Sequence, residues 1–103
     1  MDIQRLNGKQ IQFCGETWTI KVLKSMKNGV VGTYNIDKGI ITLVNRRGSF
    51  DTIMHELFEL ATDLYKVRFW NSQQELRFTF DHNTLDNIAR EVSGAISQLF
   101  EIK

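Results

Sequence analysis

The chain has no proline, a single cysteine and no excess of either charge. One cysteine excludes an internal disulfide, and that fits a reducing cytoplasm. Cys14, between Phe13 and Gly15, reads as a small packing or turn residue rather than a nucleophile, because a buried thiol behaves as a small hydrophobe. Thirteen Lys and Arg against twelve Asp and Glu leave a formal net charge of +1. No field of one sign therefore draws the chain to nucleic acid or to a membrane surface. No apolar run approaches the length of a membrane span, and the N-terminus lacks the pattern of a signal peptide. Internal repeats, low-complexity tracts and linkers are missing too.

What remains is an ordinary globular composition. The 103 residues, 42% of them hydrophobic, suffice for one domain with one modest core. Its two halves differ in texture, residues 1–48 reading as strands and turns and residues 49–103 as mostly helix. Ile11-Gln12-Phe13 and Thr17 to Val22 alternate apolar and polar residues around Gly15-Glu16, a hairpin signal. Val30 to Tyr34 and Ile40 to Val44 flank Asn35-Ile36-Asp37-Lys38-Gly39, which is rich in turn formers and predicts a second hairpin.

Ser49 is a suitable N-cap for a helix over Phe50 to Lys66, with Asp51 in the first turn to complement the dipole. At about 100° per residue, Ile53, Met54, Leu57, Phe58, Leu60, Ala61, Leu64 and Tyr65 fill one side. Thr52, His55, Glu56, Glu59, Thr62, Asp63 and Lys66 fill the other, which reads as the solvated face. Gln73 to Phe80 predicts a short strand. Asn83 is a candidate cap for a last helix from Thr84 to about Phe100, with a core stripe of Leu85, Ile88, Ala89, Val92, Ala95, Ile96, Leu99 and Phe100. Trp18, Trp70 and the seven phenylalanines are expected in the core. The only basic cluster, Arg46-Arg47 with Lys21, Lys24 and Lys27, is too weak a stripe for nucleic acid.

The chemically specific feature is His55-Glu56-Leu57-Phe58-Glu59. It is the zinc-peptidase helix motif H-E-x-x-H with a carboxylate in place of the second histidine. Residues four apart lie one turn apart on the same helix face, so His55 and Glu59 can reach one ion. Glu56, offset around the helix, is placed to act as general base on water. Carboxylate oxygen is an acceptable zinc ligand, so the substitution preserves a site while making the motif less diagnostic.

The order of elements around this motif resembles the small zincin-like metallopeptidase domains of bacteriophage and mobile elements, cousins of the ImmA/IrrE type. The likeness spans roughly residues 28–100. It is carried by Gly32 to Asp37, by Gly39-Ile40-Ile41-Thr42-Leu43-Val44, by Thr52 to Leu57 and by the terminal stretch from Leu85 to Phe100. It implies an α+β fold: a small antiparallel sheet, the motif helix, a short strand and a C-terminal helix. It also implies a Zn²⁺ cofactor, a cytoplasmic location in a bacterial host, and a peptide or protein as substrate. Where many such domains carry a third ligand on the closing helix, this chain has Asn87 and Arg90. Some phage members resemble a variant in which H-E-x-x-E is followed by a histidine after an F-x-F strand, and Phe78-Thr79-Phe80-Asp81-His82 matches that arrangement. The implied metal set is His55, Glu59 and His82, which leaves a fourth position for water, with Glu91 in reserve. Asp63, one turn beyond Glu59, would orient a ligand from behind, or else pair with a nearby lysine or be simply solvated. The strand Gly39 to Val44 would be the edge along which an extended peptide pairs. Two function classes stay open: a zinc peptidase using Glu56 as base, and a phage interaction protein that keeps the fold without the reaction and binds or inhibits a host factor.

Overall fold

The computed structural model describes residues 2–101. The chain order is β1 (Gln10–Phe13), β2 (Glu16–Leu23), β3 (Gly32–Asn35), β4 (Ile40–Val44), α1 (Ser49–Leu64), β5 (Arg68–Trp70), β6 (Leu76–Phe78) and α2 (His82–Phe100). The α+β class and the expected layout are found. The sheet is mixed rather than wholly antiparallel. Its order is β1-β2-β4-β3, because the two hairpins join through a parallel β2–β4 pair in which Ile20 lies beside Ile41 and Val22 beside Leu43. Seating β4 there buries Ile41, Leu43 and Val44, together with Trp18, Ile20 and Val22 of β2.

Alternation in β2 and β4 sends Trp18, Ile20, Val22, Ile41 and Leu43 to one face, where the helices cover them. Helix α1 packs across β3 and β4, while α2 packs on β1 and against α1. Ile53, Leu57, Leu60 and Ala61 of α1 meet Ile88, Val92, Ala95 and Leu99 of α2 in the same core. Trp18 is fully buried at its centre, with its indole N–H donating to the Phe13 carbonyl at 3.0 Å. That bond removes the cost of an unpaired buried donor.

The helix starts differ from the expected caps. Gly48, not Ser49, precedes α1; its φ of +82° is the left-handed region that glycine adopts without penalty. Ser49 is the first helical residue and is wholly buried, its hydroxyl accepting from the Arg46 N–H and lying against the carbonyls of Val44 and Arg46. It staples the turn into the helix instead of capping helical N–H groups. For α2 the cap is Asp81, which accepts from Thr84 N–H at 2.8 Å, so the helix begins at His82 and Asn83 lies inside it.

Two further expectations are corrected. The single strand expected over Gln73 to Phe80 is the second half of a hairpin, pairing Arg68 with Phe78 and Trp70 with Leu76. The aromatic residues divide: Trp18 and Phe13 are buried, whereas Trp70, Phe69, Phe78, Phe80, Phe58 and Phe50 are exposed. A pair of three-residue strands has too little area to cover its own side chains. Leu85 and Ala89 of the expected α2 stripe are likewise exposed. Among the described residues no helix is long and apolar enough to cross a membrane.

Candidate metal centre

Helix α1 presents two edges to the rest of the molecule. One is flanked by the edge strand β3 and the other by the β5–β6 hairpin, and the motif residues lie between them. His55 and Glu59 are one turn apart, as their spacing requires, and His55 Nε2 is 2.8 Å from Glu59 Oε2. Glu56 adds a third donor: one ligand atom from each of His55, Glu56 and Glu59 lies within 4.8 Å of the others. Metal–donor bonds of about 2 Å require donors to approach to roughly 3–4 Å of one another. Imidazole and carboxylate are donors that zinc accepts, so His55 and Glu59 fit the metal that the motif implies, with the Glu56 carboxylate close beside them.

The three motif residues differ in exposure. The His55 side chain is 70% exposed, Glu59 is half-buried, and Glu56 is buried at 7%. The burial of Glu56, and of Thr52 beside it, corrects the expectation that this whole face of α1 is solvated. Its cause is β3. A Cβ at Gly32 would lie 2.9 Å from both Glu56 Cγ and Thr52 Cγ2, so only glycine lets the strand come this close. Loss of hydration pushes the Glu56 carboxyl above its ordinary value. The nearby Glu59 carboxylate raises it further, against the opposing pull of His55 and Arg68. The Glu56 carboxyl therefore has a greater affinity for a proton than an exposed one.

Behind Glu59 runs a chain of polar contacts. Arg68 Nη1 of β5 approaches Glu59 Oε1 at 3.3 Å and donates to the Tyr34 hydroxyl at 2.7 Å. Tyr34, on β3, donates in turn to Asp63 Oδ2 at 3.0 Å. Burial, reinforced by the hydrogen bond to Asp63, pushes the Tyr34 phenol up to about 12 despite the Arg68 charge, so it stays a donor. Asp63 thus reaches Glu59 through Tyr34 and Arg68, with tyrosine as its partner and not lysine. Arg68 and Tyr34 were not foreseen. The alternation in Val67-Arg68-Phe69-Trp70, followed by Asn71 and a polar turn, was the available sign of a strand that would carry Arg68 here.

The remaining expected site residues lie elsewhere. His82 is outside the cluster: it sits in the first turn of α2, 82% exposed, with Nε2 3.4 Å from Asp86 Oδ2. Glu91, the reserve ligand, accepts from the Cys14 N–H at 2.8 Å in the β1–β2 turn. The strand Gly39 to Val44 is not an edge, because β4 bonds β2 on one side and β3 on the other. The free edge beside the motif belongs to β3. A cleft between β3 and α1 is lined by Gly29, Val30, Val31, Gly32, Thr52, His55 and Glu56, among others.

No protein-family model, curated protein or solved structure matches the chain. The functional reading therefore rests on the residues themselves.

Proposed function

We propose that the protein is a zincin-like metallopeptidase of the phage and mobile-element type, with a peptide bond as its target. The observation that carries this reading is the convergence of His55, Glu56 and Glu59 on one point beside a free strand edge. His55 and Glu59 would hold the Zn²⁺, which supplies carbonyl polarisation and a lowered pKa for water. Glu56, with its raised proton affinity, takes the proton from the attacking water and returns it to the leaving amine. Unpaired backbone groups on β3 bind the peptide as an added strand, and Gly32 keeps that strand against the base. Arg68 and Tyr34 fix the Glu59 carboxylate from behind.

One observation favours a second reading, a binding protein that has given up the reaction. The Arg68 guanidinium already neutralises Glu59, and such a network is complete without an ion.

A single experiment separates the two. Zinc is titrated into chelator-stripped protein, with melting temperature and calorimetry as readouts, and a peptide mixture is then incubated with each form and read by mass spectrometry. An enzyme gains stability on zinc by mass action, about 2.7 kcal/mol at a hundredfold excess over Kd. His55→Ala abolishes that gain and leaves the apo protein within about 0.5 kcal/mol of wild type, as expected for an exposed side chain. Glu56→Gln keeps zinc binding and loses cleavage. Absence of any zinc-dependent stabilisation or cleavage in the wild type rejects the peptidase and leaves the binding protein.

A further inference from the structure

Two of the seven asparagines precede a glycine, Asn7-Gly8 and Asn28-Gly29. A glycine follower matters chemically, because it has no side chain to shield its amide nitrogen from the carboxamide one residue back. Both pairs are exposed, and in both the glycine is left-handed, at φ +82° and +70°. Their hydrogen bonding differs. The Asn7 side-chain oxygen accepts from the Val22 N–H at 2.8 Å, and the Gly8 N–H donates to the Ile20 carbonyl at 2.8 Å, so both reacting groups are held to β2. Asn35, Asn45, Asn71 and Asn87 also use their side chains in hydrogen bonds, whereas Asn28 has no such partner among the described residues. Asn28 lies in the turn between β2 and β3, which is closed by a long backbone bond from the Val30 N–H to the Lys27 carbonyl at 3.3 Å. The space around Gly29 is open: a Cβ there would meet nothing within 4 Å.

We propose that Asn28-Gly29 is a site of spontaneous amide-to-acid conversion, which sets a new carboxylate beside the β3 cleft. Rotation about the Asn28 ψ, 27° here, carries the Gly29 nitrogen onto Asn28 Cγ. The N–Cγ bond forms, the Cγ–Nδ2 bond breaks, and ammonia leaves with the Gly29 amide proton, giving a five-membered cyclic imide. Water then adds across either C–N bond of the imide, its hydroxyl going to the carbon and its proton to the nitrogen. Opening at Cγ yields aspartate. Opening at the main-chain carbonyl yields isoaspartate, whose backbone is longer by one methylene. The sequence of steps consumes only water and releases only ammonia. Either product takes the formal net charge from +1 to 0. Gly29 lines the cleft with Val30, Val31, Gly32, His55 and Glu56. The chain runs directly from it to Gly32, the glycine pressed against Glu56. A lengthened backbone at position 28 thus enters the segment that holds that contact, and the added charge joins Asp51 and Glu56 around the same cleft. The inference does not depend on whether zinc binds.

The test ages the full chain in warm, mildly alkaline buffer, where the Gly29 amide loses its proton more readily. Peptides are mapped by mass spectrometry, with isoaspartyl residues marked by an isoaspartate methyltransferase. In the folded protein Asn28 is expected to convert at least about tenfold faster than Asn7, because two hydrogen bonds must open before Asn7 can react. In urea the two rates should converge, since both asparagines have the same follower. The proposal is overturned if Asn7 keeps pace with Asn28 in the folded protein, or if Asn28 stays an amide while the unfolded chain converts. It is overturned equally by a tenfold difference that persists in urea, which would trace the selectivity to flanking residues and not to the fold. The isoaspartyl fraction, separated by ion exchange, is expected to show a displaced Gly32 amide resonance. Asn28→Asp, which keeps the backbone length, should displace it less. An unmoved Gly32 resonance in both would sever the modification from the cleft.

Discussion

Trp18 and Trp70 are both tryptophans on strands, yet the first is wholly buried and the second 64% exposed. The difference lies in what each strand has behind it. Trp18 belongs to β2, with a strand paired on each side and both helices packed over the sheet. Trp70 belongs to a two-stranded ribbon that stands beside α1 and is joined to Glu59 and Tyr34 through Arg68. Similar apolar material therefore meets two fates. In the body it drives folding, and around the hairpin it is left in water beside the motif residues.

The largest effect that sharpens this contrast is on stability. Trp18→Ala is expected to cost about 3–5 kcal/mol, as large-to-small changes in a packed core do, whereas Trp70→Ala should stay within about 0.5 kcal/mol. Urea denaturation of both variants checks this, and comparable losses would show that the hairpin is part of the core.

Next comes the boundary between body and site. Gly32→Ala would push a methyl against Glu56 and the buried Thr52. A loss of about 1–3 kcal/mol is expected from overpacking, with slower peptide cleavage than wild type at unchanged zinc affinity, because Glu56, the proposed base, must move. Wild-type cleavage in this variant would separate the strand's approach from the chemistry of the site.

A smaller effect follows from the raised Glu56 carboxyl. Its folded-state pKa lies above the ordinary value of an exposed glutamate, so the folded form holds more protons than the unfolded form in that window. The Glu56 contribution to stability is therefore fully present below the unfolded pKa and is lost as pH rises through the folded value. Melting temperatures of Glu56→Gln and wild type, compared from pH 4 to about pH 7 without metal, should diverge in favour of the variant as pH rises. A constant difference across that range would mean that Glu56 is not desolvated in solution.

The smallest effect is expected at His82. Its contact with Asp86 is an exposed i,i+4 pair, worth no more than about 0.5 kcal/mol. His82→Ala should leave both stability and zinc affinity near wild type. A tenfold or greater loss of zinc affinity would instead return His82 to the ligand set implied by the Phe78-Thr79-Phe80-Asp81-His82 motif.

Short-range patterns account for what was legible from residue order alone. Alternation over β1 and β2, turn formers over Asn35 to Gly39 and the apolar stripe of α1 are properties of neighbouring residues, and they predict elements without knowledge of the partner. The spacing of His55 and Glu59 is of the same kind, since one helical turn brings them together wherever the helix lies. Helix ends were read less well because Ser49 and Asn83 are good caps locally. The turn geometry preferred Gly48, and Asp81 reached the α2 amides first.

Tertiary structure alone decided the rest. Nothing in the order of residues states that β4 enters the sheet beside β2, which takes the expected peptide edge from Gly39–Val44 and gives it to β3. Nor does a polar position on a helix reveal that a glycine strand will press on it, as Gly32 does on Glu56. The composition of the site was also decided across distance. Arg68 of β5 meets Glu59 of α1 and Tyr34 of β3, whereas His82 and Glu91 are engaged with Asp86 and the Cys14 amide. Helical periodicity is a local property of the backbone. Sheet order, desolvation and ion pairing depend on which distant surfaces come into contact, and these are settled only when the whole core closes.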